Sequence, residues 1–191
     1  MNIVLFGAPG AGKGAQAERI ASLYGMIHLS TGEMLRSAIS SGSVLGARAK
    51  EVIGRGELIS DDIIVKIVNA RMDEDDCVNG VILDGFPRTV AQAEALDEML
   101  AGKGLTLDHV IEIEVDEVAL FARIKNRASE RKRTGTVRSD DSAEILRKRL
   151  EVYHRNSAPL LPYYRAKGLL RSVDGMVSIE SVATQIDNLL G

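Results

Sequence analysis

The chain lacks several residues that mark secreted, disulfide-rich or membrane-spanning proteins. Its 191 residues include no tryptophan and a single cysteine, Cys77. One cysteine cannot form a disulfide within the chain or build a cysteine-based zinc site, so we expect no structural zinc. No apolar run approaches the ~18 residues of a membrane-spanning helix, so we expect no membrane association.

The start of the chain also lacks the pattern of a secretory signal peptide. The apolar run that begins at Ile3 ends at Phe6, and no basic segment precedes it. We therefore expect a cytoplasmic protein.

The charge distribution is uneven along the chain. The net charge is −3, which does not indicate a general nucleic-acid-binding protein. Residues 123–149 nevertheless carry ten basic and four acidic side chains. Concentrated positive charge of this kind favours a small polyanionic ligand over a nucleic acid.

A glycine-rich segment follows the first apolar run and precedes helix-forming residues. The spacing of Gly7, Gly12 and Lys13 is that of a P-loop between a strand and a helix. Glycines allow backbone N–H groups to surround a phosphate, and the helix N-terminus and the lysine add positive charge. Gly14 and Ala15 follow the lysine, so the loop lacks the Ser or Thr hydroxyl that usually binds Mg²⁺.

A second motif follows a later apolar run and begins with an acidic residue. Asp84 stands at the end of residues 81–84, and Arg88 lies four residues further on. An acid at a strand end beside a P-loop is where a carboxylate can hold hydrated Mg²⁺, and an arginine there can bind a phosphate through two N–H groups. The alternative for Asp84 is a purely structural role, in which it caps its strand or pairs with an arginine.

Apolar runs alternate with helical patterns along the whole chain. This order predicts an α/β fold in one domain, with a doubly wound parallel sheet of five strands. The predicted strands lie at residues 3–6, 26–29, 81–84, 110–115 and 170–173. About fifty residues separate the second strand from the third, which is longer than a simple crossover and indicates a helical insert.

The fourth predicted strand has a different pattern from the first. Apolar residues alternate with Glu112 and Glu114 over residues 110–115. The alternation predicts that both glutamates point outward and that this strand lies on a half-exposed surface.

Taken together, these residues resemble adenylate kinase, in the short-lid form of the nucleoside monophosphate kinase family. The resemblance extends over nearly the whole chain. The segments that carry it are residues 7–14, 30–36, 56–59, 84–89, 138–141 and 147–150, with Gln92, Arg123 and Arg127.

The resemblance implies a function and a division of the chain. It implies reversible transfer of the terminal phosphoryl group of ATP to AMP, giving two ADP, with Mg²⁺ bound to ATP. The implied domain spans residues 1–191, with an AMP-binding insert at residues 30–59 and a short lid at residues 127–140. The implied partners are ATP, AMP and ADP, bound by a monomer.

The resemblance also implies a role for each matching residue. The ATP-binding residues would be Gly10, Ala11, Gly12, Lys13, Gly14, Ala15, Arg123, Arg127 and Val177. The AMP-binding residues would be Thr31, Arg36, Glu57, Leu58, Ile59, Gly85, Phe86, Pro87, Arg88, Gln92, Arg138 and Arg149. The catalytic residues would be Lys13, Arg88, Arg123, Arg138 and Arg149, with Asp84 holding Mg²⁺ through water.

Two other functions compete with this interpretation. A UMP/CMP kinase is the nearer one, but such relatives usually have alanine in place of Thr31 and asparagines in place of Thr89 and Gln92. A non-catalytic P-loop nucleotide-binding module is the other. A GTPase-like switch would usually need a hydroxyl after Lys13 and an Asn-Lys-x-Asp motif, whereas Asn126 is followed here by arginine. The chain also departs from the family that it resembles at Ala15, where threonine is common, and in a lid without the long insert or zinc cysteines of some members.

Overall fold

The structure is a computed structural model that describes residues 1–42, 44–55, 57–123 and 143–191. Within these ranges, five strands form one parallel sheet in the order β2-β3-β1-β4-β5. The strands are β1 Ile3–Phe6, β2 Ile27–Ser30, β3 Val81–Asp84, β4 His109–Glu114 and β5 Leu170–Asp174. The predicted five-stranded parallel sheet is confirmed.

Helices connect these strands. They are α1 Lys13–Tyr24, α2 Thr31–Ser40, α3 Val44–Gly54, α4 Asp61–Met72, α5 Val90–Gly102, α6 at residues 117–123, α7 Ala143–Val152, α8 Leu160–Ala166 and α9 Ile179–Leu190. A 3₁₀ turn covers Asp75–Asn79, and a π-helical turn at Tyr153–Ser157 separates α7 from α8. Over the ranges that the structure covers, no helix combines the length and the apolar character needed to cross a membrane.

Strand β1 is the centre of the sheet and has apolar neighbours on both faces. Val4 and Phe6 pack in one cluster with α4, α5 and α8, whereas Ile3 and Leu5 pack in a second cluster with α1 and α9. Successive side chains of a strand point to opposite faces, so a strand covered on both sides is apolar at every position. This explains why the first run shows no alternation.

The stretch between β2 and β3 contains α2, α3 and α4, as expected for a helical insert. Leu35 of α2, Ala49 of α3 and Ile64 of α4 belong to the same buried cluster as Val4 and Leu83 of the sheet. The insert is therefore packed against the sheet through a shared apolar core.

The register of the sheet brings three strand ends together. Leu5 of β1 pairs with Asp84 of β3 and with Ile111 of β4, and Ser30 of β2 also pairs with Asp84. Strands β2 and β3 lie on one side of β1, and strands β4 and β5 lie on the other. A crevice therefore opens at the carboxyl end of β1, where doubly wound sheets bind ligands.

The prediction of a half-exposed β4 is wrong at Glu112. This residue is only 7% exposed, because β4 pairs with a strand on each side and helices cover both faces of the sheet. The hydroxyl of Ser172 donates a hydrogen bond to Glu112 Oε2 over 3.0 Å. Burial raises the pKa of the Glu112 carboxyl, and the bond from Ser172 opposes this rise only in part. Glu114 is exposed, as predicted.

Replacing Glu112 with glutamine tests the buried carboxyl. Because its pKa is raised on folding, the proton it holds stabilises the folded state at low pH, and this stability is lost as the pH rises. The Glu112→Gln variant keeps an acceptor for Ser172 but has no charge to desolvate. Its free energy of unfolding should therefore increase relative to the parent as the pH rises above about 4.3, the ordinary pKa of a glutamate.

Urea unfolding at a series of pH values measures this difference. Glu98→Gln, on the exposed surface of α5, is the matched control and should show a much smaller change with pH. A difference between Glu112→Gln and the parent that stays constant with pH would contradict the interpretation.

Candidate active site

The glycine-rich loop leaves β1 at its carboxyl end and enters α1 at Lys13. Gly7 begins the loop with a φ of +142°, and a Cβ atom there would lie 2.7 Å from the carbonyl oxygen of Ile113. Only glycine fits this close approach to the backbone of β4. The loop therefore starts tightly against the sheet and ends at a helix N-terminus, the arrangement that binds phosphate.

Lys13 is held against the loop itself. Its Nζ donates hydrogen bonds to the carbonyl oxygens of Gly7, at 2.7 Å, and Ala8, at 3.1 Å. The ammonium group is thus fixed beside the loop and also lines the adjoining cavity.

This cavity, which we call the basic cavity, has a volume of about 430 Å³ and lies between the loop, α2 and the end of β3. Lys13, Arg36, Arg88 and Arg149 line it, together with the carboxylates of Glu18, Glu33 and the partly buried Asp84. Gly10, Gly12, Gly14 and Ala15 of the predicted ATP-binding set also line it. Four basic side chains around one cavity favour a polyanionic ligand.

Asp84 ends β3 and faces the basic cavity with a side chain that is 15% exposed. Burial raises the pKa of its carboxyl, but the contact with His28 and the positive charges of Lys13 and Arg88 outweigh burial and hold the pKa below its usual value. The carboxyl is therefore ionised at neutral pH, as a group that holds a cation must be.

His28 is a site residue that sequence reasoning missed. Its Nε2 lies 3.5 Å from Asp84 Oδ2, and its side chain lines the basic cavity. The residue stands alone in the sequence, without the spacing of a ligand pair. It reaches Asp84 because β2 pairs with β3, a contact between strands more than fifty residues apart.

A second cavity, which we call the α2 cavity, lies between α2, the start of α4 and the loop after β3. Nine of the residues assigned to AMP by resemblance line it. They are Thr31, Arg36, Glu57, Leu58, Ile59, Gly85, Arg88, Gln92 and Arg149. The structure therefore brings together residues from four separate segments of the sequence.

The loop after β3 is shaped by a glycine with positive φ. Gly85 has a φ of +79°, and its carbonyl accepts hydrogen bonds from the Thr31 hydroxyl, at 2.9 Å, and Arg88 Nε, at 2.7 Å. A Cβ atom on Gly85 would lie 2.8 Å from Arg88 Nη2 and 2.9 Å from Thr31 Oγ1. A larger residue would displace both side chains that line the α2 cavity.

A third cavity connects the first two through shared residues. Pro87 lines it with Lys13, and Arg88 and Arg149 line all three cavities. Phe86 differs from its neighbours because its side chain is 1% exposed and packs in the core. Its predicted part in the site can therefore involve only the backbone.

The remaining predicted residues lie elsewhere. Arg123 Nη2 donates a hydrogen bond of 2.7 Å to the carbonyl of Gly175, in the loop between β5 and α9 that also carries Val177. Arg127, Arg138 and the whole predicted lid at residues 127–140 lie outside the described residues. In the described part of the chain, no three His, Cys, Asp or Glu side chains are grouped so that they could hold a metal ion.

Comparison with known proteins gives a consistent result over the full length. The family model described as Adenylate kinase matches residues 5–169. An adenylate kinase of Parvibaculum lavamentivorans is 55% identical over all 191 residues of this chain and 92% of its own length. Adenylate kinases of Azorhizobium caulinodans and Xanthobacter autotrophicus are 52% and 51% identical, each over the whole chain and 98% of their own length.

The sequence resemblance agrees with these matches, and so does the five-stranded parallel sheet. A family model that covers most of the chain, and relatives above 50% identity over its whole length, leave one assignment. The chain belongs to the adenylate kinase family.

Proposed function

We propose that the chain, a phosphotransferase of the adenylate kinase family, transfers the terminal phosphoryl group of ATP to AMP at the junction of the basic cavity and the α2 cavity. The observation that carries this proposal is the position of Arg88 and Arg149, which line both cavities. Two nucleotides bound on either side would place their phosphates at the same two arginines.

ATP is proposed to bind on the P-loop side. The backbone N–H groups of residues 10–15 and the ammonium of Lys13 would surround its phosphates, because Gly10 and residues 12–15 line one face of the basic cavity. The side chain of Ala11, by contrast, is buried in the core, so only its backbone could take part. Arg123, Arg127 and Val177 complete this side by resemblance. The exposed Val177 and the Arg123–Gly175 contact lie on the same loop between β5 and α9.

AMP is proposed to bind in the α2 cavity. Arg36 and Arg88 would hold its phosphate, since both line the α2 cavity and the basic cavity. Gln92 lines the α2 cavity and can offer both a donor and an acceptor to a base.

Phosphoryl transfer depends on positioning and on neutralising charge more than on acid–base groups. Lys13, Arg88, Arg123, Arg138 and Arg149 are proposed to supply the positive charge around the transferred group. Water is a competing acceptor, so the proposed lid at residues 127–140 would exclude it by closing over ATP.

The residues around Asp84 fit a hydrated Mg²⁺ that arrives with ATP. The carboxyl is ionised, lies in the basic cavity and faces a loop position that is glycine. A Cβ atom on Gly14 would lie 3.8 Å from Asp84 Oδ2, so no loop side chain occupies the space beside the carboxylate. Mg²⁺ retains several waters and takes oxygens from substrate phosphates, where it neutralises charge during transfer.

We also propose which segment of the chain binds AMP. Residues 30–59 would form the AMP-binding unit, because this range supplies five of the nine α2-cavity residues assigned to AMP, among them Thr31, Arg36 and Leu58. The protein is proposed to act as a monomer in the cytoplasm, where its nucleotide substrates are found.

The acceptor preference tests the proposed function directly. With ATP as donor, AMP should give a higher kcat/KM than CMP, UMP or GMP. Gln92→Ala should lower kcat/KM for AMP by roughly 1–3 kcal/mol, the range for a good bidentate contact to a base. A thermal melt of the variant checks that the loss is not caused by unfolding, and CMP or UMP outperforming AMP in the parent protein would contradict the proposal.

A magnesium titration at fixed ATP tests the role of Asp84. Asp84→Asn keeps the shape and removes the charge, so it should lower kcat and raise the Mg²⁺ needed for half-maximal rate by roughly ten-fold. Binding of magnesium-free ATP should not weaken, because a negative charge has been removed from the cavity.

Glu18→Gln is the matched control for this titration. It removes a carboxylate from the same cavity, but from an exposed position on α1, and should shift the curve much less. Superimposable curves for Asp84→Asn and the parent would show that Asp84 has no part in metal handling.

Hydrogen exchange tests the proposed lid. An inhibitor that links the two nucleotides should slow amide exchange across residues 127–140, because closure over the ligand protects backbone amides. The buried face of α9, away from the cavities, provides the internal reference. Unchanged exchange across residues 127–140 at saturating inhibitor would refute the lid.

A further inference from the structure

Asp61, the first residue of α4, contacts the loop that leads into α5. Its Oδ1 accepts a hydrogen bond of 2.6 Å from Gln92 Nε2, and its Oδ2 accepts one of 2.9 Å from the Thr89 hydroxyl. Asp61 lies outside the sequence motifs and outside the residues that the resemblance assigned to a site. The structure instead connects it to the side chain proposed to contact the base of AMP.

The two hydrogen-bond partners of the Gln92 side-chain amide determine its orientation. The backbone N–H of Arg88 can only donate, and it donates to Gln92 Oε1 over 2.7 Å. The Asp61 carboxylate can only accept, and it faces Gln92 Nε2. A reversed amide would place donor against donor and acceptor against acceptor in a side chain that is 2% exposed, which carries the cost of unsatisfied buried groups.

The Thr89 hydroxyl extends this arrangement to the backbone. Its hydrogen goes to Asp61, so an oxygen lone pair is left to accept the backbone N–H of Gln92 over 3.1 Å, which caps α5. Asp61 therefore contacts the Gln92 side chain directly and the Gln92 backbone N–H through the Thr89 hydroxyl.

Gln92 Oε1 has two lone pairs, and one of them accepts the Arg88 N–H; Gln92 Nε2 has two hydrogens, and one of them is donated to Asp61. The fixed amide therefore has one lone pair and one N–H left to offer a base. A 6-aminopurine such as adenine presents an amino donor next to a ring-nitrogen acceptor. A 6-oxopurine such as hypoxanthine or guanine presents a carbonyl acceptor next to a ring N–H donor. The fixed amide complements the first pattern, whereas the second needs the amide reversed.

We propose that Asp61 is a positioning residue that determines specificity: by fixing the orientation of the Gln92 amide, it makes the acceptor site select 6-aminopurines over 6-oxopurines. This inference rests on the proposed function, in which Gln92 contacts the base of AMP. It adds a residue outside the assigned binding set and a reason for rejecting inosine monophosphate, which differs from AMP at this edge.

The test compares kcat/KM for AMP and for inosine monophosphate with ATP as donor. Asp61→Ala should lower the ratio of the two values by roughly ten-fold, the lower part of the range for a bidentate base contact. The KM for ATP should stay unchanged. Asp62→Ala removes the same charge from the same helical turn at an exposed position, so it should leave the ratio as in the parent.

Asp61→Asn covers the case in which Asp61→Ala does not fold. Asparagine keeps the size but offers one accepting oxygen in place of two, so Gln92 Nε2 and the Thr89 hydroxyl compete for it, and the negative charge that favours one orientation of the Gln92 amide is lost. It should lower the ratio in the same direction, by a smaller factor. An unchanged ratio in Asp61→Ala, or in Asp61→Asn where Asp61→Ala does not fold, overturns the inference.

A double-mutant cycle separates this inference from the proposed function. Gln92→Ala should itself lower the ratio, and adding Asp61→Ala to it should cause no further decrease. If Gln92→Ala leaves the ratio unchanged, Gln92 does not contact the base. The proposed contact between Gln92 and AMP then fails, and the proposed role of Asp61 fails with it. If Gln92→Ala lowers the ratio while Asp61→Ala reduces kcat/KM equally for both acceptors, Asp61 is only structural and the inference alone fails.

Discussion

The pairing of β1 with β3 is the constraint on which the site depends. It sets Leu5 opposite Asp84, so the P-loop that follows β1 and the carboxylate that ends β3 emerge side by side. The chain then passes to β4 on the other side of β1, which leaves the crevice open at this edge. Both faces of the central strand are packed with apolar side chains, and this burial holds the register because a shift by one residue would reverse every side chain.

The electrostatics of the crevice follow from that register. Lys13, Arg36, Arg88 and Arg149 surround one cavity, and their mutual repulsion is offset in the same cavity by the ionised Asp84. In turn, the positive charges of Lys13 and Arg88 and the contact with His28 keep the Asp84 carboxyl deprotonated. Glu18 and Glu33 also line this cavity, from exposed positions. A nucleotide phosphate would bring further negative charge to the four basic side chains.

The motifs could be predicted because they depend on local chemistry. A P-loop needs glycines and a lysine at fixed spacing, so the sequence alone identified residues 7–14 and placed Asp84 at a strand end. Glu112 could not be predicted in the same way. Alternating apolar and charged residues indicate a half-exposed strand only when the charged side chains face solvent. Here the elements packed around β4, which pairs with β1 and β5, bury Glu112.

The sequence by itself determined the α/β class and the phosphate-binding loop, and through resemblance it supplied the residues that we propose for both nucleotide sites. Only the tertiary structure decided which polar groups support them. His28 contacts Asp84, and Asp61 holds Gln92, across separations of more than twenty-five residues. Such contacts leave no periodicity or spacing in the sequence, because they arise from how strands pair and how α4 packs beside α5.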